Sequence, residues 1–200
     1  MQNNKLLPLK YAICILSLIV FVYVYDKTEI REITHTKKVD TISIILKKCY
    51  NLTDKESIFY SSLFQTYSKK HKIDWMIYPS IISIESNWKS KSKSEKGAIG
   101  LMQIMEPTFE EYCKKMNIKY KKNKTIHNDS LNLIVGMEYI SIAIKRRGME
   151  RGVKSYIGGY GYHHTNKDCK IYYHRFKREY SKIKKYHNLK LDLCKKVHIL

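Results

Sequence analysis

Residues 81–86, Ile-Ile-Ser-Ile-Glu-Ser, carry an apolar run with an acid, Glu85, set at its end. A helix that apolar is a buried one. The carboxyl at its end is then partly desolvated and meets the negative pole of the helix dipole. Both effects favour the neutral, proton-carrying form near neutral pH, which is the state a general acid requires. The glycine-punctuated stretch Gly97-Ala98-Ile99-Gly100-Leu101-Met102-Gln103-Ile104 follows and is placed to wall a cleft facing that acid.

The surrounding signals are helical. Three prolines and eight glycines in 200 residues argue against a sheet-rich chain, and 44% hydrophobic content suffices for one core. Thr53-Asp54-Lys55-Glu56 is a capping box, with Ile58, Phe59, Leu63 and Tyr67 at helical spacing behind it. Asp74 caps the helix that ends near Glu85, and Pro79 in its early part predicts a kink. Thr108-Phe109-Glu110-Glu111 is a second capping box, opening a helix to about Met116. A longer helix runs from Asn128 or Asp129 to Arg147, with Gly148 in the stop position. A short one from about Glu150 to Tyr156 ends at Gly158-Gly159, and a last basic one covers about 168–185. The fold class is mainly α.

Residues 11–25 carry no charge, and extending back to Leu6 reaches the length that spans a bilayer. Lys5, Lys10 and the amino terminus precede the run, and no small-x-small cleavage site follows it. Residues 1–25 therefore read as a transmembrane signal anchor, in preference to a cleaved signal peptide, with the rest of the chain exported. Residues 26–52 read as a polar stem. Within it, Ile42-Ser43-Ile44-Ile45-Leu46 is open between strand, helix turn and a segment packed on the domain. Residues 53–186 form the helical domain and 187–200 a basic tail.

The net charge of +20 fits attraction to a polyanion such as nucleic acid, acidic lipid or a carboxylate-rich cell wall. It also fits compositional drift, since Lys, Ile, Asn and Tyr are abundant together. The lysines are scattered and form no single stripe, so no nucleic-acid partner is expected. Cys49, Cys113, Cys169 and Cys194 allow three disulfide pairings in an exported domain. His163, His164, Cys169 and His174 fit no standard zinc spacing, and neither a metal nor a cofactor is expected.

Asp74, Glu85-Ser86, Trp88, Ser94, Gly97-Ala98, Gly100-Leu101-Met102-Gln103-Ile104-Met105, Asn132, Gly136, Tyr139, Tyr156 and Gly159 agree in order and spacing with a known pattern. The chain resembles the catalytic domain of the soluble-lytic-transglycosylase family from Asp74 to about Gly161. The resemblance implies a lysozyme-like helical domain, related to goose-type lysozyme. The implied reaction cleaves the bond between N-acetylmuramic acid and N-acetylglucosamine in peptidoglycan glycan strands, leaving a 1,6-anhydro end.

The same resemblance implies Glu85 as the single acid/base, with the substrate's own acetamide replacing a second carboxylate. Glu95, Glu106, Glu110 and Glu111 are other carboxylates near the motif, and the resemblance gives none of them that role. It places Ser94 at the acetamide, Gln103 and Met105 on the cleft floor, and Tyr156 where its hydroxyl orients the acid. A loop-capping serine, a core methionine and a core tyrosine are the alternatives at Ser94, Met105 and Tyr156. Ile157 stands where the family usually has Asn, Glu106 where it has Pro, and Ser90 where a proline is common. Two further readings remain: a muramidase that hydrolyses the same bond, and a wall-binding scaffold that lost turnover. The expected location is the cell envelope, anchored in the inner membrane with the domain in the periplasm, or exported after signal cleavage. By analogy of architecture, a secretion or conjugation apparatus is a candidate partner.

Overall fold

The computed structural model describes residues 40–158 and 166–197, which lie in one compact unit beginning at Asp40. Among the described residues seven α-helices follow one another: α1 Thr41–Tyr50, α2 Asp54–His71, α3 Ile77–Ser86, α4 Glu106–Lys115, α5 Asp129–Arg147, α6 Met149–Gly158 and α7 Lys167–Val197. A 3-10 turn, Thr125–His127, precedes α5. The core gathers around α3, where Ile77, Tyr78, Ile81 and Ile82 are completely buried. Against them pack Phe64 of α2, Phe109 and Tyr112 of α4, and Leu133, Met137 and Ile140 of α5. The mainly α class expected from the sequence is the class observed.

Local chemistry explains most helix starts. Thr53 and Glu56 form the reciprocal capping box of α2, and the Asn128 side chain accepts from Leu131 N at 3.0 Å to open α5. Asp74 accepts from Met76 N at 2.9 Å, but only as a turn ahead of α3. Pro79 therefore becomes the third residue of α3, where a helix has no use for an N–H, and the expected kink has no cause. The Thr108 box is displaced too. Helix α4 begins at Glu106 with Pro107 in its first turn, which leaves Thr108 inside the helix.

Two expected boundaries move. Residues 41–50, read as part of a polar stem, are α1, with Ile45 and Leu46 buried. Asp40 caps α1 at Ser43 N (2.7 Å) and also accepts from Ser61 Oγ and Gln65 Nε2 of α2, tying the first two helices together. Residues 187–197, read as a tail, continue α7. Helix α7 runs along α3 and touches both its ends, through Tyr180 to Asp74 Oδ2 (2.6 Å) and Arg175 to the Ile84 carbonyl (3.0 Å). It reaches α1 as well, where Lys182 Nζ donates to the Cys49 carbonyl at 3.0 Å.

Cys49, Cys113 and Cys169 are free thiols, the last two buried, and the Cys194 side chain lies outside the described residues. No helix among the described residues is long and apolar enough to cross a membrane. The expected anchor at 1–25, the stem up to residue 39, and His163 and His164 also lie outside them.

Candidate active site

Glu85 is the penultimate residue of α3 and is partly exposed. Its Oε1 accepts the phenolic hydrogen of Tyr172, a buried residue of α7. Burial pushes the Glu85 carboxyl up to about 7, against the pull of the Tyr172 hydrogen bond and the Arg175 charge, both of which favour the ionised form. Tyr156 of α6 is close enough to feel the same group. Its phenol is pushed well above its ordinary value by burial first and the Glu85 charge second.

Two left-handed residues, Asn87 (φ 48°) and Trp88 (φ 64°), reverse the chain just past Glu85. A tryptophan in that region is strained by about 1–3 kcal/mol and persists only where its surroundings hold it. The Trp88 ring sits 4.7 Å from Tyr50, 5.2 Å from Tyr60 and 6.5 Å from Phe64, centroid to centroid. That aromatic cluster clamps the end of α3 and with it the backbone that carries the acid.

The glycine-punctuated loop is held as firmly. Ile99 bridges Lys93 on one side and Ile104 on the other. Met102 is gripped at both backbone ends: its N–H donates to Asn132 Oδ1 (3.1 Å), and its carbonyl accepts from the Tyr156 hydroxyl (2.6 Å). Asn132 also donates to the Ile99 carbonyl at 2.9 Å. Gly100 has φ +81°, and a Cβ there would stand 2.5 Å from the Asn132 side chain, so only glycine lets the loop approach α5 this closely.

Each expected site residue therefore has a definite place. Ser94 Oγ accepts from Ala98 N at 3.0 Å, the loop-capping alternative, with its own hydroxyl hydrogen still to donate. The Gln103 amide donates to the carbonyls of Ser92 (3.0 Å) and Gly100 (2.9 Å), which secures its left-handed backbone. Met105 is 43% exposed, which removes the core alternative. Tyr156 lies near Glu85, but its hydroxyl is committed to Met102. The phenol that holds the acid is Tyr172, correcting the expectation for Tyr156. Tyr172 lies beyond Gly161, where the motif resemblance stops, and is one of 17 tyrosines.

Three of the other carboxylates are engaged elsewhere. Glu106 accepts from Asn123 N (2.6 Å) and the Tyr120 hydroxyl (2.8 Å), and these bonds hold it below the usual carboxylate range. Glu110 and Glu111 pair with Lys114 and Lys115 on the surface of α4. Ile157 is 50% exposed. Among the described residues no group of three His, Cys, Asp or Glu side chains could hold a metal. Cys169 is buried near the Lys154 carbonyl, and His174 is exposed on α7.

The buried helix α3 thus ends in a carboxyl of raised proton affinity, and the glycine loop that follows it in the chain is pinned to α5 and α6. The Transglycosylase SLT domain family matches residues 62–180, more than half of the chain, and the chain belongs to that family. It is 29% identical over 102 residues to the soluble lytic murein transglycosylase of Escherichia coli K12, a match covering 50% of this chain and 16% of that protein. It is also 29% identical over 107 residues to membrane-bound lytic murein transglycosylase E of Buchnera aphidicola, covering 50% of this chain and 48% of the relative. Among solved structures, the 70-kDa soluble lytic transglycosylase in complex with bulgecin A has a TM-score of 0.48 at 22% identity, covering 66% of this chain and 23% of that one. An inactive mutant of Slt from Pseudomonas aeruginosa has a TM-score of 0.49 at 19% identity, covering 85% and 29%.

Proposed function

We propose that this chain is a peptidoglycan lytic transglycosylase whose lysozyme-like domain cuts the β-1,4 bond between N-acetylmuramic acid and N-acetylglucosamine. The observation that carries the reading is Glu85, a carboxyl pushed up to about 7 and held by Tyr172. Near neutrality a substantial share of molecules then carries the proton that cleavage needs. Family membership supplies the reaction class.

In this reading Glu85 gives its proton to the glycosidic oxygen as the C1–O bond breaks. The acetamide oxygen of the muramoyl residue shields the positive anomeric carbon. The Glu85 carboxylate, stabilised by Tyr172 and by the nearby Arg175 charge, then takes the proton of the muramoyl 6-hydroxyl as that oxygen bonds to C1. The 1,6-anhydro ring closes, no water is consumed, and the acid is restored. Ser94, whose hydroxyl hydrogen remains to be donated, and exposed Met105 are the proposed substrate contacts. Gln103 and Tyr156 act by fixing the wall of the cleft.

Residues 1–25 are proposed to anchor the domain in the inner membrane, outside the cytoplasm. An anchored transglycosylase domain suits opening the wall locally for a secretion or conjugation apparatus. Digestion of purified sacculi followed by mass analysis of the fragments tests the reaction. Anhydro ends that disappear with Glu85→Gln are the expected result. Fragments carrying the mass of water at every cut would make the chain a hydrolysing muramidase. No lysis by either protein, with both still pelleting with the wall, would make it a scaffold.

A further inference from the structure

Between helices α6 and α7 lies an open cavity of about 240 Å³ lined by Glu150, Lys154, Lys170, Tyr173, His174 and Lys177. Lys170, Tyr173, His174 and Lys177 stand at i, i+3, i+4 and i+7, one stripe of α7. The pull on an anion is concentrated there. Glu150, the one carboxylate of the lining, is already paired with Lys154, whose ammonium-bearing side chain is only 11% exposed. Two cations lie over the Tyr173 ring, Lys177 at 5.4 Å and Lys154 at 5.6 Å from its centroid. Among the described residues neither Lys170 nor Lys177 has an ion-pair partner. Three lysines against one glutamate leave the lining with two uncompensated positive charges.

The cavity is separate from the Glu85 site. At about 100° per residue, the stripe lies on the side of α7 turned away from Tyr172, which faces Glu85. Lys154 and Tyr156 are likewise on opposite sides of α6. An anion seated here takes no part in bond cleavage. We propose that the cavity binds the carboxylates of an acidic peptide carried by the wall polymer, and so holds the domain on its substrate. The inference rests on the reading of the chain as a peptidoglycan enzyme, because a wall glycan bearing acidic peptides brings such groups within reach of a domain cutting it.

Co-sedimentation with purified sacculi near 0.15 M salt tests it, comparing Lys170→Gln/Lys177→Gln with Lys55→Gln/Lys69→Gln. Lys55 and Lys69 are exposed residues of α2, so the two variants have the same net charge. The cavity variant is expected to lose affinity by about three- to tenfold, the scale of two partly exposed charge contacts, while the control pair keeps it. The loss should vanish on glycan strands stripped of their peptides, and cutting of those strands should be unchanged. Matched thermal midpoints confirm that both variants fold. Equal losses by both variants would reduce the effect to bulk charge and overturn the proposal. So would a loss that persists on stripped strands. Competition by inorganic phosphate or anionic lipid vesicles, but not by a soluble acidic peptide, would overturn it in favour of a phosphate-bearing ligand. Glu85→Gln serves as the separate control: if it still cuts, the proposed reaction falls whatever the binding data show.

Discussion

Glu85 and Glu138 are two glutamates on core helices whose carboxyls are both withdrawn from water, and they end in opposite states. Glu138, 9% exposed on α5, receives the Lys70 ammonium at 2.6 Å and the His71 ring nitrogen at 2.9 Å. Burial raises its proton affinity, but the hydrogen bonds and charges of Lys70 and His71 overcome that and hold it below the usual range. Glu85 receives a neutral phenol, and the nearest guanidinium, that of Arg175, is spent on a backbone carbonyl. Its carboxyl rises to about 7. Whether a glutamate on a core helix is an acid or an anchor is therefore decided by the desolvation of its carboxyl set against the charge of its partners.

The contrast can be broken from either side. The largest effect is expected for Glu85→Gln, which should lower sacculus lysis at least ~100-fold, the usual scale of a general acid. Lysis assays with purified protein check it. Next comes Lys70→Met, which removes one of the two groups that keep Glu138 ionised and should cost about 1–3 kcal/mol of stability near neutral pH. Because the folded Glu138 affinity is depressed, its contribution is present above the unfolded carboxyl value and lost as pH falls through the folded one. The gap between wild type and variant in denaturant midpoints should accordingly close in acid.

A smaller effect concerns the stability of the Glu85→Gln protein. The folded Glu85 affinity is raised, so the stability linked to its proton is present below the unfolded value and lost as pH climbs through about 7. The glutamine variant escapes that loss and should be more stable than wild type by about 1–2 kcal/mol near pH 8, with little difference near pH 5. Denaturation at both pH values measures this. The smallest change is expected for Tyr172→Phe. It deletes a bond that favours ionised Glu85, so the alkaline fall of activity should move upward by about half a pH unit. A pH–rate profile that moves downward instead would mean that Tyr172 stabilises the neutral acid.

Much of this was legible before any coordinates. The Thr53 box and the Gly148 stop are legible because each is a local exchange of hydrogen bonds between near neighbours, and the helix start near Asn128 or Asp129 lies beside such a cap. The apolar run ending in Glu85 is a local pattern as well, and the helix it belongs to is the one observed. What escaped was non-local or ambiguous. Helix α1 is only ten residues long, and its Asp40 cap lacks the glutamate that would complete a box, so its apolar run could not be told from a strand. Thr108 offered a valid box, yet Pro107 made an earlier start equally good. Tyr172 had no local mark at all, since its importance comes from a contact 87 positions away in the chain.

Helix α7 has a consequence for anyone who would trim this protein. Tyr172 and Arg175 brace the C-terminal turn of α3, and Tyr180 braces the aspartate of the turn ahead of it, so α7 splints α3 from before its start to its end. A fragment stopped at Gly161 would retain every signature residue and forfeit the splint. Its acid would sit on an unsupported turn, open to water and with its proton released. The signature residues and the braced fold are thus different objects, and the second extends at least to Tyr180.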